Sequence, residues 1–216
     1  MLFKRLFGKK QHTGKVDQNK IQHTELIQKL EYGTSLQIGQ IVSFGHYYQS
    51  KDNDKPENIE WIVLDRSHNS YLLISKYALD SVCFHPHYTH WKDSYLRKWL
   101  NGVFLDHAFS TEEQSHIKGR ILPDNGLGMD QVFLLSIDEA KRYFRSDQDR
   151  QCKPTWVALM NGSGEDKSGN CWWWLRSPAR DIESTSYVWN DGSIQDNDVV
   201  IYCDPRGVRP AVWVDL

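Results

Sequence analysis

The chain has 216 residues, of which 25% are charged and 12% aromatic, and its formal net charge is −2. This composition is typical of a soluble globular protein with one sizeable core, and it excludes disordered and collagen-like chains. No stretch contains the roughly 20 apolar residues that are needed to span a bilayer.

The first 35 residues are polar and basic, and they predict a tail or spacer with one short helix. Residues 1–20 hold six lysines and arginines against a single acid, Asp17, so the rest of the chain is acidic. An acidic body argues against nucleic acid as a partner, because that partner requires clustered Lys and Arg. If residues 1–10 are helical, that helix has one apolar and one basic face. Three alternatives stay open for them: weak contact with a membrane surface, a disordered tail, and a docking peptide.

Residues 36–216 are predicted to form a single α+β domain that begins with strands. Three apolar runs separated by polar turns predict a meander over residues 36–83. The runs are Ile41–Phe44, Trp61–Leu64 and Tyr71–Ile74.

The middle of the domain is predicted to be helical. Ser94, Ser110 and Ser136 each stand where a helix N-cap is expected, and Ser136 is followed by a glutamate at the capping-box position. Pro154 is expected in the first turn of a fourth helix. Four apolar side chains recur at helical spacing after Ser94 and predict one buried face. They are Leu96, Trp99, Leu100 and Val103.

The C-terminal third is predicted to be an antiparallel sheet. Alternation along Cys171–Pro178 places bulky residues on both faces, which indicates a central strand that is covered on both sides. Asn190-Asp191-Gly192 predicts a tight hairpin, and Val199–Tyr202 and Val212–Val214 predict two further strands. Because Pro210 cannot donate a ladder hydrogen bond, the last strand is expected at an edge or with a bulge.

Four ordered motifs resemble a bacterial domain family of uncharacterised function. The resemblance covers roughly residues 40–216. The motifs are W-x-x-S-x-L-R-x-W-L-N at Trp91–Asn101, V-F-L-L-S at Val132–Ser136, W-W-L-R-S-P at Trp173–Pro178 with its hairpin at Val188–Gly192, and G-V-R-P-A at Gly207–Ala211.

The closing motifs also look like the end of the C-type-lectin-like fold. They are similar to the branch that contains formylglycine-generating enzymes and the variable proteins of diversity-generating retroelements. The resemblance implies an α+β, C-type-lectin-like fold with antiparallel sheets and short helices, behind the basic N-terminal tail. It implies no activity.

Four cysteines, Cys83, Cys152, Cys171 and Cys203, are too widely spaced for a zinc-type C-x-x-C pair. The first residues lack the features of a secretory signal, so we expect a cytoplasmic protein with reduced, mostly buried thiols. Cys171 and Cys203 could be neighbours in the closing sheet.

His85, His87 and His90 form the densest histidine cluster, and imidazoles are common metal ligands. We favour packing or surface roles for them, because no further ligand is evident. Trp189-Asn190-Asp191 matches a calcium-binding triplet of carbohydrate-binding C-type lectins. Its partner motif is missing here, so a turn is the favoured interpretation. Neither a metal nor another cofactor is therefore expected.

Two hypotheses for function follow. The favoured one is a non-enzymatic recognition module that binds a protein or glycan through the loops at 84–92, 161–170 and 179–186, where aromatic anchors stand among polar residues. The alternative is an enzyme with an unrecognised site, for which a metal-dependent site at the His85/His87/His90 loop is the starting point. Arg176 and Arg209 are expected to pair with acids such as Asp181 or Asp191, with ligand binding as the other role. The candidate ligand-binding residues are Tyr88, Trp91, Arg176, Tyr187, Trp189, Asn190, Asp191 and Arg209.

Overall fold

The computed structural model describes residues 35–51, 54–87, 89–123, 126, 128–180, 185–196 and 204–215. The predictions for the basic tail, for its amphipathic start and for the strand at Val199–Tyr202 lie outside these residues.

The described residues form a mixed α+β fold of antiparallel sheets and short helices. The strands are β1 (Ile41–Tyr47), β2 (Glu57–Ser67), β3 (Ser70–Ser75), β4 (Asp80–Val82), β5 (Arg120–Ile121), β6 (Met129–Asp130), β7 (Val132–Phe133), β8 (Trp173–Pro178), β9 (Thr185–Val188), β10 (Ile194–Gln195), β11 (Arg206–Val208) and β12 (Ala211–Asp215). The α-helices are α1 (Tyr95–Trp99), α2 (Leu105–Ala108), α3 (Thr111–His116), α4 (Ile137–Tyr143), α5 (Asp147–Arg150) and α6 (Trp156–Met160).

The first sheet has the strand order β1-β2-β3-β12-β7, and its pairings are antiparallel. The predicted meander is confirmed, since its three strands are β1, β2 and β3. The prediction that Pro210 places the last strand at an edge or a bulge is wrong, because β12 lies between β3 and β7. Pro210 stands just before β12, so its missing N–H removes no donor from that strand. Its carbonyl accepts from the Ser75 N–H at 2.9 Å.

The second sheet has the order β10-β9-β8-β11-β4. β8 is central, as the alternation of tryptophans predicts, and β11 runs parallel to it between β8 and β4. The predicted hairpin is also confirmed. β9 and β10 pair through Val188 and Ile194, and beyond that pair the Trp189 N–H donates to the Ser193 carbonyl at 2.8 Å.

Three serines are helix N-caps at the predicted positions. The Ser94 hydroxyl accepts from the Arg97 N–H at 3.0 Å at the start of α1. Ser110 and Ser136 form complete capping boxes at α3 and α4. Pro154 lies one residue before the N-cap of α6, Thr155, rather than in its first turn, and α5 is an element that the sequence did not predict.

The helix that starts at Tyr95 contains a π-helical segment, Leu100–Phe104, between α1 and α2. A π turn holds more residues than an α turn. The side chains within and beyond it are therefore rotated away from the directions they would have on a continuous α-helix. Val103 is consequently 41% exposed, and Phe104 is buried. The prediction of a buried face is confirmed for Leu96, Trp99 and Leu100 and wrong for Val103.

Both sheets and the helices contribute to one hydrophobic cluster. Trp61, Trp173 and Trp174 are among the largest side chains that are fully buried. Among the residues that the structure describes, no helix is long and apolar enough to cross a membrane.

Candidate functional site

Three aromatic side chains come together at the surface beside the second sheet. Trp172 directly precedes β8, Tyr187 lies in β9, and Trp189 directly follows β9. The Trp172 and Trp189 ring centroids are 4.6 Å apart with the ring planes at 74°, and the Tyr187 centroid is 5.9 Å from each. Tyr187 is buried, Trp172 is half-buried, and Trp189 is 36% exposed. These three residues are termed the aromatic surface.

Arg206 in β11 supports the aromatic surface from within. Its guanidinium carbon lies 3.9 Å from the ring centroids of both Trp172 and Tyr187, and 4.9 Å from that of Trp174. Such contacts between a cation and a ring contribute about 2 kcal/mol when they are desolvated, and Arg206 is buried. Edge-to-face ring pairs add directional packing. The exposed ring of Trp189 therefore stands on a rigid base.

The hairpin that carries Trp189 is fixed against α5. The Arg150 Nε donates to the Gly192 carbonyl at 2.9 Å, and the Gln151 side chain donates to the Asp191 carbonyl at 3.2 Å. The Asp191 carboxylate accepts from the Ser193 hydroxyl at 2.6 Å and from its N–H at 2.8 Å, and these hydrogen bonds lower the pKa of Asp191. The carboxylate thus stabilises its own turn, in agreement with the favoured interpretation of this triplet.

The structure brings two of the predicted site residues, Tyr187 and Trp189, into the aromatic surface. Asn190 is half-buried in the turn that follows Trp189. Tyr88 lies outside the described residues. Trp91 was expected to be an exposed aromatic anchor in a binding loop. It is instead buried, and its Nε1 donates to Asp130 at 2.8 Å.

Arg176 and Arg209 are buried, and the partners described for them differ from the expected Asp191, whereas Asp181 lies outside the described residues. Arg176 binds the Glu139 carboxylate through both terminal nitrogens, and its NH1 also donates to the Leu134 carbonyl at 2.7 Å. The physical reason is packing: α4 lies against β8 and places Glu139 beside Arg176.

Arg209 is held by backbone oxygens and rings. Its Nε donates to the Ser75 carbonyl at 2.9 Å and its NH1 to the Arg150 carbonyl at 3.2 Å. Its guanidinium carbon lies 5.0 Å from the Trp173 ring centroid. In the described part of the chain, both arginines therefore stabilise the interior of the fold.

The histidine loop provides the starting point of the alternative hypothesis. The His85 Nδ1 accepts from the Tyr95 N–H at 3.0 Å, and desolvation lowers the pKa of His85. His87 and His90 are exposed. Within the described ranges, no group of three or more His, Cys, Asp or Glu side chains is arranged to hold a metal ion. The enzyme hypothesis stays a prediction.

Asp80 is a buried carboxylate with a full set of donors. It accepts from the Tyr47 hydroxyl, the Asn161 side-chain amide and the Ser81 N–H, each at 2.7 Å. Burial raises the pKa of Asp80, although these hydrogen bonds oppose the shift. The carboxylate connects β1, β4 and the end of α6, so it fixes the start of the loop at 161–170 that passes close to Trp172.

A family described as a domain of unknown function, DUF6273, matches residues 68–216. The chain belongs to this family. Its DUF6273 part contains the whole aromatic surface and all four motifs on which the predicted resemblance rests. All of β1 and β2 precede the matched residues, so the match begins later than the predicted residue 40. The comparisons with curated proteins and with solved structures gave no match.

Sequence reasoning did not single out Trp172 and Arg206 as site residues. The alternation along β8 does place Trp172 on the same face as Trp174. Arg206 joins that face because β11 runs parallel to β8, with Gly207 opposite Trp173. The DUF6273 motifs contain no sign of this parallel pairing, in which Gly207 lies opposite Trp173, so the sequence offered no signal for Arg206.

Proposed function

We propose that this chain is a non-enzymatic recognition module with a C-type-lectin-like domain, and that it binds a protein or glycan ligand at the aromatic surface. The observation that carries the proposal is the exposed Trp189 ring, which packs on Trp172 and Tyr187 above the Arg206 guanidinium. Partly exposed aromatic rings with little freedom to move make strong contacts in protein interfaces. They also lose little conformational entropy when they bind.

The surroundings of the aromatic surface support this role. The exposed Glu165 and Lys167 lie in the loop at 161–170, which approaches Trp172 at Gly164. On the other side, the turn after Trp189 presents Asn190 and Asp191. Adaptable binding sites typically combine a few rigid aromatic rings with surrounding polar groups.

The C-type-lectin-like assignment is part of the same proposal. It is supported by the order of the closing elements: a central tryptophan-rich strand, a glycine hairpin and the Gly207–Ala211 motif. It is also supported by the mixture of antiparallel sheets and short helices.

Trp189→Ala is expected to weaken ligand binding at least about tenfold, as for a central aromatic contact. Ligands would be selected for the wild-type protein from a glycan array and from a displayed peptide library. Their Kd values would then be measured by calorimetry. Trp156→Ala is the matched control, because Trp156 in α6 is also 36% exposed. It should bind with the wild-type Kd.

Equal Kd values for Trp189→Ala and wild type would contradict the proposal, provided that thermal unfolding shows both proteins folded. An equal loss of binding in Trp156→Ala would contradict it as well, since the effect would then not belong to the aromatic surface. The library that supplies the ligands decides between a glycan and a peptide.

A further inference from the structure

Cys152 and Cys171 are direct neighbours in the fold. Cys152 follows α5, Cys171 precedes β8, and the two residues form an antiparallel bridge in which the Cys171 N–H donates to the Cys152 carbonyl at 2.8 Å. Residues paired in this way have Cα atoms about 5.5 Å apart. That separation lies within the roughly 4.4–6.8 Å that a disulfide requires. The backbone can therefore accommodate a bond between these two cysteines.

The two side chains lie on the same side of this bridge. Both residues are buried, and their thiols are hydrogen-bonded together. The Cys171 sulfur also lies beside β11, where a methyl group on Gly207 would be 3.1 Å from it, so little free space surrounds it.

The electrostatic environment activates one thiol of the pair. Burial raises the pKa of Cys152, but the hydrogen bond from Cys171 and the positive charge of Arg209 outweigh this effect and lower it to about 7. The hydrogen bond to Cys152 and burial raise the pKa of Cys171. Cys152 is thus the thiol of the pair that loses its proton more readily, which suits it to attack, and Cys171 is suited to resolve.

We propose that Cys152 and Cys171 are a modification site, at which a hydroperoxide converts the two thiols into a disulfide. The Cys152 thiolate attacks the terminal peroxide oxygen, the O–O bond breaks, and Cys152 becomes a sulfenic acid while the peroxide leaves as an alcohol or water. The Cys171 sulfur then attacks the sulfenic sulfur and releases water. Two thiols are oxidised, and one peroxide is reduced.

The disulfide closes a covalent loop around residues 153–170. This loop contains α6 and passes close to Trp172, because Gly164 lies near the Trp172 Nε1. Trp172 itself directly follows Cys171. The disulfide thereby joins the segment after α5 to the residue that precedes Trp172 in the aromatic surface. This inference does not depend on which ligand the aromatic surface binds.

The experiment uses a Cys83→Ser/Cys203→Ser background, in which only the two proposed partners remain. The folded protein is treated with hydrogen peroxide, denatured and alkylated with iodoacetamide. We expect both thiols to resist alkylation and the mass to fall by about 2 Da, the two hydrogens that disulfide formation removes. Dithiothreitol should restore both thiols. Cys152→Ser in the same background should show no such fall in mass.

Alkylation of both thiols after treatment, oxygen adducts without a disulfide, or covalent dimers would each overturn the proposal. Should the background variant fail to fold, tryptic mapping of the oxidised full-length protein gives the same answer. Lys167 lies between the two cysteines, so trypsin separates residues 151–167 from 168–176. A disulfide between these peptides supports the proposal, and a link from either cysteine to Cys83 or Cys203 in its place contradicts it.

Discussion

Glu139→Ala is expected to lower the free energy of unfolding by about 3 kcal/mol, the size of effect seen when one partner of a buried ion pair is removed. Arg176 is only 2% exposed, and the Glu139 carboxylate is its counter-charge, with the Arg176 NH2 3.0 Å from Oε1. The same carboxylate accepts from the Ser136 N–H at 2.9 Å and completes the capping box of α4. The loss would be measured by equilibrium denaturation in urea.

Asp138→Ala is the matched control for this prediction. Asp138 is an exposed acid in the same first turn of α4, so its removal should cost only about 0.5 kcal/mol through the helix dipole. A double variant, Glu139→Ala with Arg176→Met, should recover part of the stability, because no buried charge then lacks its carboxylate. Similar losses in Glu139→Ala and Asp138→Ala would show that the ion pair contributes little.

Gly192→Ala is expected to cost about 3 kcal/mol or more, because a side chain at this position meets the backbone of α5. Gly192 has φ +90°, and a Cβ there would lie 1.7 Å from the Asp147 carbonyl oxygen. The hairpin would have to move away from α5 and lose the Arg150 hydrogen bond to the Gly192 carbonyl. Thermal unfolding together with urea denaturation would measure the change.

Gly169→Ala separates the clash from the cost of the backbone conformation. Gly169 has a similar φ of +77°, but a Cβ there would meet nothing within 4 Å. Its substitution should therefore cost only about 1 kcal/mol, the strain of a positive φ. If both alanine variants lost the same stability, the contact between the hairpin and α5 would be unimportant for the fold.

Local signals in the sequence predicted much of the architecture. The helix starts at Ser94, Ser110 and Ser136 follow from side chains that hydrogen-bond three residues away. The first three strands and the Gly192 hairpin follow from alternation and turn residues. Such features depend on neighbours in sequence, and one chain is enough to find them.

These local signals could not predict contacts between segments that are distant in the sequence. Arg176 pairs with Glu139, 37 residues away in the sequence, and no local pattern links these two residues. Trp91 stands in a polar segment, yet it is buried, and Asp130 accepts its indole N–H. Tertiary packing determines both the Arg176–Glu139 pairing and the burial of Trp91. No periodicity in the sequence indicates this packing.

The candidate site was predicted in part for the same reason. Tyr187 and Trp189 were expected as ligand-binding residues, and the hairpin pattern is enough to place them together. Trp172 enters the aromatic surface only through its contact with that hairpin, and Arg206 only through parallel pairing of β11 with β8. The fold therefore adds to the site the two residues that make it rigid.

The position of β11 and β12 has a consequence for synthesis on the ribosome. Residues 206–215 provide an inner strand for each of the two large sheets, β11 between β8 and β4 and β12 between β3 and β7. A nascent chain that lacks them has a gap in both sheets and leaves apolar strand edges unprotected. Cooperative folding must therefore wait until residues 206–215 have left the ribosome, and a premature stop codon slightly upstream of Arg206 would yield an aggregation-prone product.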